Sequence, residues 1–326
     1  MYYSLSEIFA IGIGPSSSHT VGPMKAANRF VRTIKENINK VEKVDVYLYG
    51  SLALTGVGHG TLNAVVYGLL GFEADKLDLT QNYIEKLKTS HELLLGGIKK
   101  IPFDMDKNFT LEKSIFLKEH PNGMKIVAKD SNDNIILEET YFSVGGGSIA
   151  RQDEIGQKIE RAPLDVPYQF SSFDELRKIC KTNKMTISEV VLANEYALQS
   201  KEDTINYIKK IVEIMQDNID KGINTEGVLP GSTKLQRRAS GMYKSLQQRF
   251  ENNFDDALYI LDWVNLWAFA VAEENAAGGK IITAPTMGSA GIIPAVIRYY
   301  QRFAHKKAHY DLEADIVFIT TAAAIC

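Results

Sequence analysis

Ser16-Ser17-Ser18-His19, three consecutive hydroxyls and an imidazole, stand between Gly14-Pro15 and Gly22-Pro23, directly ahead of an amphipathic run. Together with Thr20 they gather hydrogen-bond donors where a chain enters a helix, and the free N–H groups and dipole of a helix start favour a carboxylate there. A single serine at such a place would be an ordinary cap. Three in a row beside an imidazole exceed what capping needs. His59, in Gly58-His59-Gly60-Thr61, lies on a glycine-flanked loop before another helical run and can orient a substrate or shuttle a proton; alone such a residue is more often a solvated loop histidine, and pairing with His19 in the same domain makes it a candidate. Leu229-Pro230-Gly231-Ser232-Thr233-Lys234 is a further turn into a helix, with Lys234, Arg237 and Arg238 set early, where cations oppose the dipole. Such cations hold an anion or simply reach solvent. Met287-Gly288-Ser289-Ala290-Gly291 suits a ligand or tight helix packing.

The elements that must position these residues divide the chain. Met24, Ala27, Phe30, Val31, Ile34 and Ile38 keep helical spacing, and Val44, Val46 and Leu48 alternate as a strand. A loop and helix interrupted by Gly56, Gly58 and Gly60 follow, then strand candidates at 114–118, 124–129 and 135–142. The spacing predicts an α+β domain with a small sheet over residues 1–150, ending at the Gly145-Gly146-Gly147 run. Residues 151–171 read as a connector. Residues 172–326 read as an all-α domain, with capping boxes at Ser172–Glu175 and Thr186–Glu189. Its helices are expected near 186–198, 201–221, 233–250, 254–276, 289–303 and 312–325. Trp263, Leu266, Trp267, Ala270 and Val271 form the expected buried stripe of one of them.

Charge narrows the partners. The 326 residues carry 37 basic and 40 acidic side chains, so no basic field points to nucleic acid or an anionic membrane surface, and a small molecule is the expected ligand. Cys180 and Cys326 are the only cysteines, which predicts neither a disulfide framework nor a zinc site and fits a reducing cytoplasm. No signal sequence or membrane-spanning apolar run is evident. No Gly-Lys-Ser/Thr phosphate loop occurs, and the triple glycine lacks the context of a dinucleotide site. His91, His120, His305 and His309 are assigned to the surface.

Taken in order, Gly14–Met24, Gly50–Thr61, Ser143–Gly147, Leu229–Ala239 and Glu273–Gly279 running into Ala284-Pro285-Thr286 resemble the iron–sulfur-dependent L-serine dehydratases over essentially the whole chain. The resemblance implies a β domain similar to a regulatory domain of phosphoglycerate dehydrogenases, an α domain carrying a [4Fe–4S] cluster, and conversion of L-serine to pyruvate and ammonia in a cytoplasmic homodimer. It implies that Ser16, Ser17, Ser18, His19, Thr20 and His59 hold or deprotonate substrate at the cluster, while Lys234 and Arg238 help bind its carboxylate. It leaves the identity of the base open.

The chain departs from the family where metal is bound. Ala290 stands at a cluster-cysteine position, and the family's other cluster cysteines lie in a tract expected just beyond residue 326, so the α domain is read as truncated. Cys180 and Cys326 match no cluster position, and no metal ligand is assigned; clusters of this type need several thiolates. A rival reading is a non-catalytic serine-binding or partner-binding subunit. A pyridoxal-phosphate enzyme would need a Schiff-base lysine, for which Lys280 beside Gly278-Gly279 is the sole candidate.

Overall fold

The computed structural model describes residues 2–157, 163–230, 234–251, 258–284, 287–304 and 311–326. A short helix α1 (Leu5–Ile8) and strand β1 (Ile11–Ile13) lead to a π-helical turn, Ser17–Val21, that runs straight into α2 (Gly22–Ile34). Strand β2 (Lys43–Tyr49) is followed by α3 (Gly50–Thr55), α4 (Thr61–Leu69) and α5 (Tyr83–Ser90). Then come the hairpin β3 (Glu92–Leu95) and β4 (Lys99–Pro102), helix α6 (Met105–Asn108), and strands β5 (Phe109–Glu112), β6 (Gly123–Lys129), β7 (Ile135–Gly145) and β8 (Ser148–Arg151). The main sheet has the order β5-β2-β6-β7-β8, with only the β2–β5 pair parallel.

Helix α2 forms because its apolar residues recur on one face. Met24, Ala27, Phe30, Val31 and Ile34 are all buried, and most of that face packs with Val44, Val46, Leu48 and Ile126 of the sheet. At about 1.5–3 kcal/mol for each fully buried large side chain, this stripe outweighs any propensity term in the helix. The expected strand at 114–118 does not form. Phe109–Glu112 takes the place beside β2, and residues 115 and 116 instead run past Gly50, whose N–H donates to the Ile115 carbonyl. The triple glycine is the β7–β8 hairpin turn, and all three residues have positive φ, which only glycine adopts without strain.

The second half is helical: α7 (Phe173–Asn183), α8 (Ile187–Leu198), α9 (Lys201–Asn224), α10 (Ala239–Glu251), α11 (Tyr259–Ala276), α12 (Met287–Tyr299) and α13 (Leu312–Ile325), with the short strand β9 (Lys280–Ile282) among the described residues. The capping box at Thr186 is complete. At Ser172 it is half made, because the Glu175 carboxylate turns to Ser171 instead. Helix α10 starts at Ala239, later than its spacing suggested. Before it Gln236 is bridged to Val228, and Lys234 has φ 46°, so the early cations precede the helix and do not oppose its dipole. The Trp263–Val271 stripe is buried as expected. No described helix is long and apolar enough to cross a membrane.

The two halves are laced together by the N-terminal segment. β1 pairs antiparallel with β9, and Leu5 and Phe9 join Val191, Ile211, Met215, Ile282 and Ile319 in the core of the helical half. Tyr2 Oη and the Leu5 N–H donate to the buried Glu195 carboxylate at 2.7 and 3.0 Å, and Tyr207 Oη donates to the Phe9 carbonyl. The serine tract therefore begins where the chain leaves the helical half for the sheet.

Candidate active site

The site is built on the turn Ser16–Val21. Its position is fixed from the helical side: the Gly14 N–H donates to the Gly279 carbonyl at 2.9 Å, and Asn275 Nδ2 donates to the Pro15 carbonyl at 3.1 Å. Gly14 has no alternative here, because a Cβ would lie 1.9 Å from the Asn275 carbonyl oxygen. At the other end a Cβ on Gly22 would lie 2.1 Å from Ser143 Oγ, a buried hydroxyl with no described partner.

The turn brings His19 and His59 together. Their rings are 4.9 Å apart, centroid to centroid, tilted by 37°. His19 is gripped at both ring nitrogens, Nδ1 by Ser18 Oγ and Nε2 by Ser51 Oγ, each at 2.9 Å. Its main chain is held as well: the N–H donates to Ser16 Oγ and the carbonyl accepts from Thr61 Oγ1. Thr20 Oγ1, buried, donates to the His59 carbonyl at 2.8 Å, tying the two histidine-bearing segments. Burial, and then the nearness of His59, holds the His19 imidazole below its usual pKa.

His59 differs in one respect that matters chemically. Its Nδ1 lies 3.0 Å from the Thr55 carbonyl, which can only accept, so Nδ1 carries the proton and Nε2 of the neutral ring keeps the free lone pair. His19 is a fixed hydrogen-bonding group; His59 is a ring with an available base.

The three serines also separate. Ser16 accepts from the His19 N–H and Ser18 binds the His19 ring, whereas Ser17 makes no side-chain hydrogen bond among the described residues. Ser17 lines a cleft of about 940 Å³ shared with Tyr2, Lys25, Gly146, Ser148 and Cys326. Lys234 and Arg238 are not brought to this cleft. Lys234 is exposed, and the Arg238 guanidinium lies 4.2 Å over the Phe269 ring. Lys280 donates to the Asp75 carbonyl.

Spacing did not reveal Ser51, Thr61, Asn275 or the ion cluster behind them. Glu274, 1% exposed at its side chain, accepts from Arg237 at 2.6 Å and from Lys221 at 3.1 Å, and Glu273 caps the N–H groups of Arg238 and Ala239. The available signal was Glu273-Glu274 at the end of α11, where carboxylates oppose the dipole and need cations or free N–H groups to offset it.

A [4Fe–4S] cluster does not fit these residues. Ala290 is buried, Cys180 is on α7, and at the cleft the described residues present one thiol, Cys326. Burial pushes that thiol's pKa up, although the Ser289 hydroxyl works against it, whereas cluster ligation needs several thiolates. No group of three or more potential metal-ligating side chains occurs among the described residues.

An α/β half and a helical half, laced by the N-terminal segment beside a hydroxyl–imidazole cluster, make a two-part protein. Comparison with known families gives the same division: the serine dehydratase beta chain matches residues 4–154 and the serine dehydratase alpha chain matches residues 182–326. The chain belongs to the L-serine dehydratase family. It is 42% identical to the L-serine dehydratase of Haemophilus influenzae over 92% of this chain and 66% of that protein. It is 41% identical to L-serine dehydratase 2 of Escherichia coli, covering 96% and 70% of the two chains, and 39% identical to the L-serine dehydratase of Streptomyces coelicolor, covering 100% and 71%. The chain thus spans about two thirds of the length of these relatives.

Proposed function

We propose that this site belongs to the deamination of L-serine to pyruvate and ammonia, and that the chain carries the substrate-holding and proton-abstracting part of that reaction. The observation that carries the reading is the His19–His59 pair, with both nitrogens of one ring engaged and Nε2 of the other left as a base. In this reading His59 Nε2 takes the α-proton, the Cα–H electron pair forms the Cα–Cβ double bond, and the β-hydroxyl leaves as water once protonated. The aminoacrylate tautomerises to an imine, which water hydrolyses to pyruvate and ammonia. His19 acts as a fixed donor or acceptor rather than a base, and Ser17 offers its hydroxyl to the substrate. Iron–sulfur chemistry, cytoplasmic location and a homodimer remain part of the family-based proposal, with the cluster's ligands not supplied by the residues described above.

A second reading is that the residues described here bind L-serine without turning it over. Calorimetry with L- and D-serine, paired with a lactate-dehydrogenase-coupled pyruvate assay after iron and sulfide treatment, separates the two. The expected result for residues 1–326 is stereoselective binding of L-serine, no cluster absorbance and no pyruvate. Pyruvate formation that is lost in His59→Asn would assign the full reaction to this chain, and absence of any L-serine binding would remove the serine reading.

A further inference from the structure

Helix α2 carries three cations on one side, Lys25, Arg29 and Arg32, spaced four and three residues apart. Two are neutralised: Arg29 makes a two-pronged pair with Glu154, and Arg32 pairs with Glu73. Lys25 has no carboxylate partner among the described residues, and it is the one that faces the large cleft. Among the described residues it is the only basic side chain on the cleft's lining, and Glu7, the only acidic one there, accepts from the Ser4 N–H and hydroxyl.

The surroundings of Lys25 are open on one side and low in polarity on the other. Its Nζ lies 3.8 Å from where a Cβ of Gly147 would stand, so the bare glycine turn leaves its ammonium room. A Cβ on Gly145 or Gly146 would meet nothing within 4 Å, so a ligand can approach the turn closely. Water reaches Lys25, yet the walls of the cleft rise around it, and that desolvation lowers its pKa. Ser17, the uncommitted hydroxyl of the tract, and Ser148 lie on the same lining. A second cleft, of about 630 Å³, meets the first at Lys25; its wall carries Arg29, Arg32 and Lys210 as well as Asp75 and Glu73, and Glu73 is already paired with Arg32.

We propose that Lys25, with the Ser17 hydroxyl and the Gly145–Gly147 turn, forms the site that holds the carboxylate of a small ligand, in place of Lys234 and Arg238. The proposal rests on the serine reading for the identity of that ligand and on the cleft alone for the carboxylate chemistry. A charge-assisted hydrogen bond of this kind accounts for a loss of about tenfold or more in affinity when the ammonium is removed.

The test uses the full chain, Lys25→Met and Lys25→Arg, titrated calorimetrically with L-serine and with L-serinamide, which lacks the carboxylate. Lys25→Met is expected to lose about tenfold or more for L-serine and little for the amide, while Lys25→Arg retains most of the affinity. Binding of L-serine by Lys25→Met within about twofold of the parent chain overturns the proposal and leaves the serine reading intact. A second readout follows the ¹³C-dimethylated Lys25 resonance during addition of L-serine and, separately, pyruvate. A saturable shift with pyruvate but not L-serine keeps the carboxylate site and overturns the serine reading. No shift with either overturns the site.

Discussion

Two corners of this protein, of which Ser17 and Cys326 line one cleft, are equipped very differently. Around Ser16–Thr20 the hydroxyls and imidazoles are committed to one another, with Ser18, Ser51 and Thr61 all spent on His19 and only Ser17 and the outer nitrogen of His59 left over. At the ends of α12 and α13 there is one thiol, a serine beside it and a buried alanine. Buried polar networks are retained at a cost when each member is satisfied, and they then hold geometry tightly. Among the described residues the hydroxyl–imidazole corner is thus a connected network with two groups uncommitted, and the other corner offers one thiol, fewer than a cluster needs. The contrast shows that the hydroxyls and imidazoles gather in one part of the fold and the cleft's thiol in another.

The comparison breaks most severely at Glu274. Glu274→Ala leaves the buried Arg237 guanidinium without its carboxylate, one residue before Asn275 on α11, and the expected loss of unfolding free energy is about 3–5 kcal/mol, read from urea denaturation. A change within about 0.5 kcal/mol would mean that this ion cluster does not seat the site. Asn275→Ala removes a side-chain clamp on Pro15, and a smaller loss of about 1–2 kcal/mol is expected, with weakened L-serine binding. Unchanged binding in that variant would show that the serine tract holds its shape without the helical half.

The smallest effect is pH dependence. Because the His19 pKa is lowered in the folded protein, the unfolded chain takes up its proton first as pH falls. Its contribution to stability is thus full above about pH 6.5 and is lost as pH drops from there toward the depressed native value. His19→Gln should flatten that part of the stability profile, measured as Tm between pH 7.5 and 5. A Tm that falls just as steeply in the variant would place the titration elsewhere.

Much of the fold was legible because α2, β2 and the Trp263 helix carry unambiguous apolar periodicity, and burial enforces it. The strand expected at 114–118 does not form: its apolar residues satisfy a strand pattern locally, whereas the sheet edge is filled by Phe109–Glu112. β1 and β9 are three residues each and lie far apart in sequence, so neither shows periodicity and only tertiary pairing makes them strands. At the site, His19 and His59 were legible from glycine punctuation. The unequal fates of the three serines were not, because spacing cannot tell which hydroxyl turns inward. Lys25 was hidden inside a helix whose other two cations have ordinary partners.

The most direct measurement follows the ring Cε1–H resonances of His19 and His59 by NMR as L-serine is added to the full chain, with D-serine as the control. A saturable, L-selective shift of the His59 resonance, abolished in Ser17→Ala or His59→Asn, is the predicted result. Histidine resonances that L-serine leaves unmoved at millimolar concentration, or moves no more than D-serine does, would contradict the account.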